Sequence, residues 1–399
     1  AITLFLNDVP VAILAQRIFA GLDSFTIMAI PFFVLVGVIM EKGGIAKRIV
    51  DFADALVGWV TGSLLMVSVL TGTGLAAISG SGSADTAATA SVMLPEMRKR
   101  RYDIDFAAGL IAAGGTLAPV IPPSIMMVIL ATVSNLSVGK MFLAGILPGL
   151  LMAVGLLIAA RLHAAKTPEI YSSTKDFSAG NLLKTIIPAL PAFCLPVIVV
   201  GGIVGGVFTP TEAACVAVFV GLFISLFIYR EIRIYDLPEI IRKSASISAS
   251  VMMIIAAASI FSWLIASQNI PSMLAGYLKA LSDSPAFFLI LINIMFILIG
   301  MFMESISAIL ILVPVFMPIA LAYGIDPIHF GVIIIINLSI GMITPPYGIT
   351  LFVASSIANR SILQVASKIW IPLTIMITTL FLVTYIPQVV LFLPNLVFK

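Results

Sequence analysis

Apolar residues run in long stretches through most of the chain, as at 146–160 (ILPGLLMAVGLLIAA) and 286–303 (AFFLILINIMFILIGMFM). Such runs match the roughly 20 residues that a helix needs to cross a bilayer core of about 30 Å, and several follow one another. The pattern predicts an all-α polytopic membrane protein. Between the runs, Arg161, Lys166, Lys175 and Lys184 fill one polar loop and Arg230, Arg233, Arg242 and Lys243 another, while the link between them (GGIVGGVFTPTE) has no basic residue. Basic loops stay in the cytoplasm, so spans at 186–204 and 211–229 are expected to make one excursion out and back.

Composition agrees: 61% of the 399 residues are hydrophobic and 10% charged, whereas soluble domains are roughly half apolar and a quarter charged. A net charge of +3, clustered beside apolar runs, gives no reason to expect a nucleic-acid partner. Cys194 and Cys215 lie in apolar segments without metal-ligand spacing and read as packing residues. The opening AITLFLNDVP lacks a basic n-region, so no cleavable signal peptide is expected, and the start without Met suggests a trimmed or partial chain.

The polar breaks recur in order. Asp85, Pro95, Tyr102-Asp103-Ile104-Asp105, Ala118 to Pro123, Asn135 and Pro148 are followed later by Glu304, Pro314, Tyr323 to Asp326, Gly341 to Pro346, Asn359 and Pro372. This reads as an internal repeat with Asp85 and Glu304 at equivalent positions. The span 141–160 runs into Arg161, whereas its counterpart 369–387 follows Arg360 and Lys368, so the repeats are expected to be inverted, although Lys140 lies on the wrong side for this.

Four segments interrupt apolar runs: Ser79–Asp85, Gly114–Pro123, Gly300–Ser307 and Asn337–Pro346. A double proline ends a helix and leaves carbonyls without donors. At membrane depth such backbone is tolerated only inside protein or along an aqueous cavity. A hard cation such as sodium suits these oxygens. One sodium site is expected from Ser79, Ser81 and the carbonyls of Ala118, Ile121 and Pro123, and a second from Gly300, Glu304, Gly341, Thr344 and Pro346. A charge at the bilayer centre costs at least about 2.5–3.5 kcal/mol, which makes Asp85 and Glu304 functional candidates; a solvated helix end is the plain alternative.

Gly and Ser can serve helix packing alone. Asn135 and Asn359 read as helix caps. His163 and His329 read as surface or capping residues, and Arg98-Lys99-Arg100-Arg101 as a cytoplasmic anchor with some capacity for anionic lipid.

The motifs SGSGSAD, APVIPPS around Pro122, PTEA at Pro210–Ala213 and GMITPP at Gly341–Pro346, with Met28–Phe33 and MEKGGIAKRI from Met40, resemble the large membrane subunit of TRAP (tripartite ATP-independent periplasmic) transporters over nearly the whole chain. The resemblance implies an elevator-type, ion-transporter-superfamily-like fold of inverted repeats with helical hairpins and broken helices. It implies sodium coupling, a small four-helix membrane subunit, a periplasmic substrate-binding protein and a place in the bacterial inner membrane. Residues 1–61 and 161–280 then form scaffold, and 62–160 and 281–399 the two repeats of a transport domain. Members usually have a further span before the segment matching Leu6–Leu14, and many have Asp where this chain has Glu304.

The expected function is sodium-coupled import of a small organic anion: a carboxylate, sugar acid or sulfonate. Ser81, Ser83, Asp85, Asn337 and Thr344 are the expected substrate-proximal residues. The motif segments hold no basic residue, so sodium and helix N-termini are expected to meet the anion. A self-sufficient sodium/dicarboxylate symporter is the alternative. An intramembrane enzyme is remote, since the chain has no paired His or Cys set and no HExxH pattern.

Overall fold

The computed structural model describes residues 11–172 and 176–398, so the readings of the first ten residues and of Lys175 lie outside the described residues. All regular structure among the described residues is helical. Three helices open it, α1 (Val11–Leu22), α2 (Ala29–Lys42) and α3 (Ile45–Val57). The last two are bent by 66° at Gly43–Gly44, where Gly44 takes the left-handed φ of 71°.

A hairpin of α4 (Ser63–Ser79) and α5 (Gly82–Lys99) follows, then α6 (Ile104–Gly115), an irregular stretch over 116–124, α7 (Ile125–Val133) and α8 (Val138–Ala165). Next come α9 (Ala179–Val204), α10 (Pro210–Phe223), α11 (Leu237–Ser267) and α12 (Ile270–Leu281). The hairpin of α13 (Pro285–Phe302) and α14 (Ser305–Ala322) leads to α15 (Pro327–Gly341), a break over 342–348, α16 (Ile349–Ala358), α17 (Trp370–Tyr385) and α18 (Pro387–Val397).

The spans expected at 141–160 and 186–204 fall within helices long and apolar enough to cross a membrane, and those at 211–229 and 286–303 match such helices at Pro210–Ile228 and Pro285–Phe302. The span expected over 369–387 instead bends by 62° between α17 and α18, at Ile386 before Pro387. A proline at this point lacks the N–H that would continue the ladder. The α9–α10 link turns on Gly206, with φ 69°, and restarts on a capping box, Thr209 Oγ1 accepting from Glu212 N at 3.3 Å and Glu212 Oε2 from Thr209 N at 2.8 Å.

The repeat is real, with a constant offset of 223 residues: Gly82 corresponds to Ser305, Lys99 to Ala322, Ile104 to Pro327 and Pro122 to Pro345. Asp103 and Asp326 cap α6 and α15 in the same way, each carboxylate accepting from the N–H groups two and three residues on. Asn135 and Asn359 follow α7 and α16 with φ 53° and 52°, so both terminate helices in the left-handed region, where Asn is tolerated.

This register corrects one expectation. Asp85 aligns with Ala308, and Glu304 aligns with Ser81, the residue before the second arm of its hairpin. The ten-residue spacing from Glu304 to Pro314 misled because α14 carries two prolines, and it is Pro318 that corresponds to Pro95.

Packing between the repeats is reciprocal: α5 lies on α16, and α14 on α7. At the base of the first hairpin Arg98 Nη2 donates to Ala358 O at 2.7 Å, Arg360 pairs with Asp105 at 3.0 Å and Lys368 approaches Asp103 at 3.8 Å. The Arg98–Arg101 run is therefore partly an inter-repeat tie, with a cation at the C-terminus of α16, where the helix dipole favours one. Basic residues crowd this base, whereas 321–326 at the base of the second hairpin has none. By the charge rule the bases face opposite sides of the membrane, and the repeats are inverted.

Backbones meet closely where hairpins cross broken helices. A Cβ on Gly341 would stand 2.5 Å from Gly300 C, and one on Gly82 would stand 2.9 Å from Gly115 O. Gly341→Ala is expected to force α13 from α15 and cost about 1–3 kcal/mol of stability. Gly201→Ala, with nothing within 4 Å of the new Cβ, should be neutral or stabilising by up to about 1 kcal/mol. Thermal unfolding of both purified variants checks this; equal stability would show that the Gly300–Gly341 contact has room to spare.

Candidate substrate and ion site

The first hairpin tip is built on one hydroxyl. α4 ends at Ser79, Gly80 turns the chain with φ 62°, and Ser81 is extended before α5 begins. Ser79 Oγ donates to Asp85 Oδ1 at 2.5 Å and accepts from Ser81 N at 3.0 Å. Asp85 is 2% exposed, which removes the solvated helix-end alternative, and its Oδ2 is buried without a partner. A buried carboxylate oxygen without a protein partner needs an explanation, of which a water or a bound ion is one.

At the second tip α13 ends at Phe302 and Met303 is extended. Glu304 caps α14, its Oε2 accepting from Ser307 N at 2.9 Å and from Ser307 Oγ at 3.3 Å. Unlike Asp85, Glu304 is exposed.

Behind each tip lies a Pro-Pro break. Ser124 Oγ donates to Pro119 O at 2.7 Å, and in the second repeat Thr350 Oγ1 donates to Met342 O at 2.8 Å, with Thr350 N on the same oxygen at 3.1 Å. The carbonyls of Ala118, Ile121 and Pro123, and of Gly300 and Pro346, accept no hydrogen bond among the described residues. Thr344 Oγ1 donates to Ile340 O at 2.7 Å, which leaves its lone pairs free. A Cβ on Gly80 would lie 3.2 Å from Pro123 O, so the first tip touches the first break.

The tips meet in a cavity of about 890 Å³. Ser79, Ser81, Ser83, Asp85, Gly300, Glu304 and Pro346 line it, and no Lys, Arg or His does. Its other wall comes from α2 and α11, with Gly37, Glu41, Ile247 and Val251. These two helices are tied by Lys42–Glu239 at 2.6 Å and Glu41–Lys243 at 2.8 Å. A Cβ on Gly37 would stand 3.2 Å from Ser79 O, so α2 touches the tip itself.

Among the remaining expected site residues, Ala118, Ile121, Pro123, Gly341 and Thr344 lie outside the cavity lining. Gly341 does meet Gly300, backbone on backbone. Asn337 is placed elsewhere: it is fully buried in α15, its Nδ2 donating to Asn293 Oδ1 and Ile333 O, both at 2.8 Å. Asn293 Nδ2 passes the chain on to Thr384 Oγ1 at 3.1 Å. An amide inside an apolar bundle takes helix–helix partners, and here that pull sets its position.

Neither histidine is a surface residue. His329 is 3% exposed with Nε2 2.8 Å from Val383 O, because the first turn of α15 is buried against α17. His163 is half-buried, stacked on Phe106 with ring centroids 3.5 Å apart and its Nε2 3.2 Å from the Tyr171 hydroxyl.

The motif reading missed Ser124, Thr350, Asn293 and Glu41. A hydroxyl right after Pro122-Pro123, and an Asn in the middle of FLILINIMF, were signals available for two of them. Glu41 enters the site with α2, whose Val34, Gly37 and Val38 also line the cavity.

The family model of the tripartite ATP-independent periplasmic transporter DctM component matches residues 1–389. The sialic acid TRAP transporter large permease of Vibrio cholerae is 37% identical, covering 99% of this chain and 92% of its own. The C4-dicarboxylate TRAP transporter large permease of Pseudomonas aeruginosa is 40% identical over the same shares. The isethionate TRAP transporter permease of Oleidesulfovibrio alaskensis is 38% identical over 97% of this chain and 61% of that protein. In fold, the chain is similar to the YdaH transporter of Alcanivorax borkumensis, with a TM-score of 0.69 at 14% identity over 93% of this chain and 86% of that one. The named relatives are transporter permeases. With its hairpins, broken helices and apolar spans, the chain belongs to the DctM family of TRAP transporter large permeases, multi-pass proteins of the inner membrane.

Proposed function

We propose that this permease imports a small organic anion coupled to sodium, with the substrate in the cavity between the hairpin tips and the two sodium ions held at the Pro-Pro breaks. The observation that carries the reading is the convergence of opposite helix ends. α5 and α14 start at the cavity, and α4 and α13 end there. Helix starts favour anions and helix ends favour cations, so one cavity without any basic side chain offers both.

To the first sodium we assign Asp85 Oδ2 and the unbonded carbonyls of Ala118, Ile121 and Pro123 as hard-oxygen donors, while Ser79, named in the expected set with Ser81, is engaged with Asp85 and Ser81 N. For the second, the unbonded carbonyls of Gly300 and Pro346 stand with Thr344, while Glu304, named in the expected set, is engaged with Ser307. Bound there, sodium would supply positive charge beside the substrate anion. Ser81 and Ser83 stay with the substrate; Asn337 is not carried forward.

The cavity wall divides between the hairpins and the tied pair of α2 and α11, which suits an elevator mechanism in which the repeats move against that pair. A periplasmic binding protein that delivers the anion and a small membrane subunit beside the scaffold complete the proposed system. The fused isethionate permease, longer than this chain, fits such a division of labour.

Uptake into proteoliposomes containing the permease with its small subunit and binding protein should require a sodium gradient and rise with a Hill coefficient above one. Uptake unaffected by replacing sodium with choline would overturn the coupling, and full uptake without the binding protein would favour the self-sufficient symporter.

Asp85→Asn keeps an acceptor for Ser79 and removes the charge, so it should insert normally and lose most uptake. Wild-type transport by this variant would make Asp85 structural only.

Thr344→Val should raise the half-saturating sodium concentration several-fold, while Thr344→Ser, which keeps the oxygen, should stay near wild type. Identical sodium curves for all three proteins, at matched membrane levels, would remove Thr344 from the site.

A further inference from the structure

Three carboxylates line the cavity: Glu41 on α2, Asp85 at the first tip and Glu304 at the second. An entering anion meets each of them as a like charge. In a cavity of about 890 Å³ the wall lies at distances comparable to the roughly 8 Å over which physiological salt screens. Asp85 accepts from Ser79 and Glu304 from Ser307, both neutral donors. Among the described residues, Glu41 alone of the three pairs with a cationic side chain. Lys243 Nζ donates to Glu41 Oε1 at 2.9 Å and to Oε2 at 2.8 Å, so one ammonium holds both oxygens.

This pair is one half of a crossed set. Glu41 is followed on α2 by Lys42, and Glu239 and Lys243 stand one turn apart on α11, with Lys42 paired to Glu239 at 2.6 Å. As ties between α2 and α11 the two pairs are alike. Of the four charges, however, only Glu41 lines the cavity, and its cation stands outside the lining. The Glu41–Lys243 pair therefore sets the charge that the scaffold shows to the cavity, which its neighbour does not.

We propose that Lys243 is a positioning residue for anion binding that acts through Glu41: by neutralising this carboxylate it keeps the cavity open to an anion that an unpaired Glu41 would repel. Like charges set side by side oppose binding and turn encounters away. With Glu41 neutralised, the helix starts at the hairpin tips can draw the anion in. The inference rests on the anion-carrier reading above and gives the scaffold a charge-setting part in it.

The test reads the charge of the cavity directly and is independent of which anion is carried. In the purified permease with Cys194→Ala and Cys215→Ala, Ser83→Cys places a thiol at the first tip. Its labelling rates with 2-sulfonatoethyl methanethiosulfonate, an anion, and 2-(trimethylammonium)ethyl methanethiosulfonate, a cation, are measured at low ionic strength, where screening is weakest. The ratio of the two rates cancels changes in accessibility. Lys243→Met should lower the anion-to-cation ratio several-fold, and Glu41→Gln should raise it. The double variant should return to within about twofold of the parent, because both charges are then gone. Glu239→Gln breaks the companion tie and should not lower the ratio. Tyr347→Cys, an exposed position in the lining, serves if the Ser83→Cys protein does not fold or does not react.

An unchanged ratio in Lys243→Met would overturn the proposal. Shifts in the same direction for Lys243→Met and Glu41→Gln, or a drop in Glu239→Gln equal to that in Lys243→Met, would reduce the pair to a tie between helices and overturn it as well. None of these results touches the carrier reading, which stands or falls on sodium-dependent uptake.

Discussion

Backbone at Pro122-Pro123 and at Pro345-Pro346 breaks the helical ladder in the middle of an apolar chain, and much of the fold serves to cover it. Inside a bilayer, every unpaired carbonyl needs protein, water or an ion as its partner. Ser124 and Thr350 each supply a hydroxyl to one carbonyl of their break. Hairpin tips close over the rest, and they come near enough only because Gly80, Gly82, Gly300 and Gly341 have no side chains at the contacts. The carbonyls proposed to hold the ions are among those left unbonded after this covering. Structural need and proposed function thus draw on the same atoms.

Duplication supplies the geometry, and divergence within it supplies the chemistry. From the hairpins to the double prolines, helix starts, caps and breaks repeat at an offset of 223 residues, and each hairpin rests on the half-helix of the opposite repeat. The charged residues do not follow. Asp85 faces Ala308 in the alignment of repeats, and Ser81 faces Glu304, so one tip buries a carboxylate beneath an open helix start while the other places one over it. The amide network of Asn293, Asn337 and Thr384 joins three helices of the second repeat. Its counterpart position in the first repeat is Gly114, where α4 and α6 meet backbone to backbone at Gly72.

The cavity also has a wall outside the repeats. Gly37 reaches the carbonyl of Ser79, and Glu41 lines the space while paired with Lys243. Both contacts come from α2, held to α11 by two ion pairs at its C-terminal end. Exposed pairs of this kind contribute little stability alone, and here their place between two scaffold helices matters more than their strength.

The sequence by itself determined the membrane class, the inverted repeats and the four interrupted segments with both breaks, while the hairpin form of two of those segments came from the family resemblance. It could do so because each has a local cause: unbroken apolar runs, doubled prolines that stop helices, glycine and serine where a span would carry leucine, and basic residues concentrated on one side. Asp85 was legible for the same reason, as a lone carboxylate in such a run. Tertiary structure decided the rest. Whether Glu304 matches Asp85 or Ser81 depends on where α14 starts, not on its distance to a proline. Asn337 and Asp85 look alike as polar residues in interrupted helices, but one meets Asn293 from a helix more than forty residues away and the other meets only its own tip. Glu41 belongs to the site because α2 packs along the first tip, more than forty residues away in sequence from that tip's carboxylate. Partners of this kind are set by which helix faces touch, and no period or spacing within one segment encodes them.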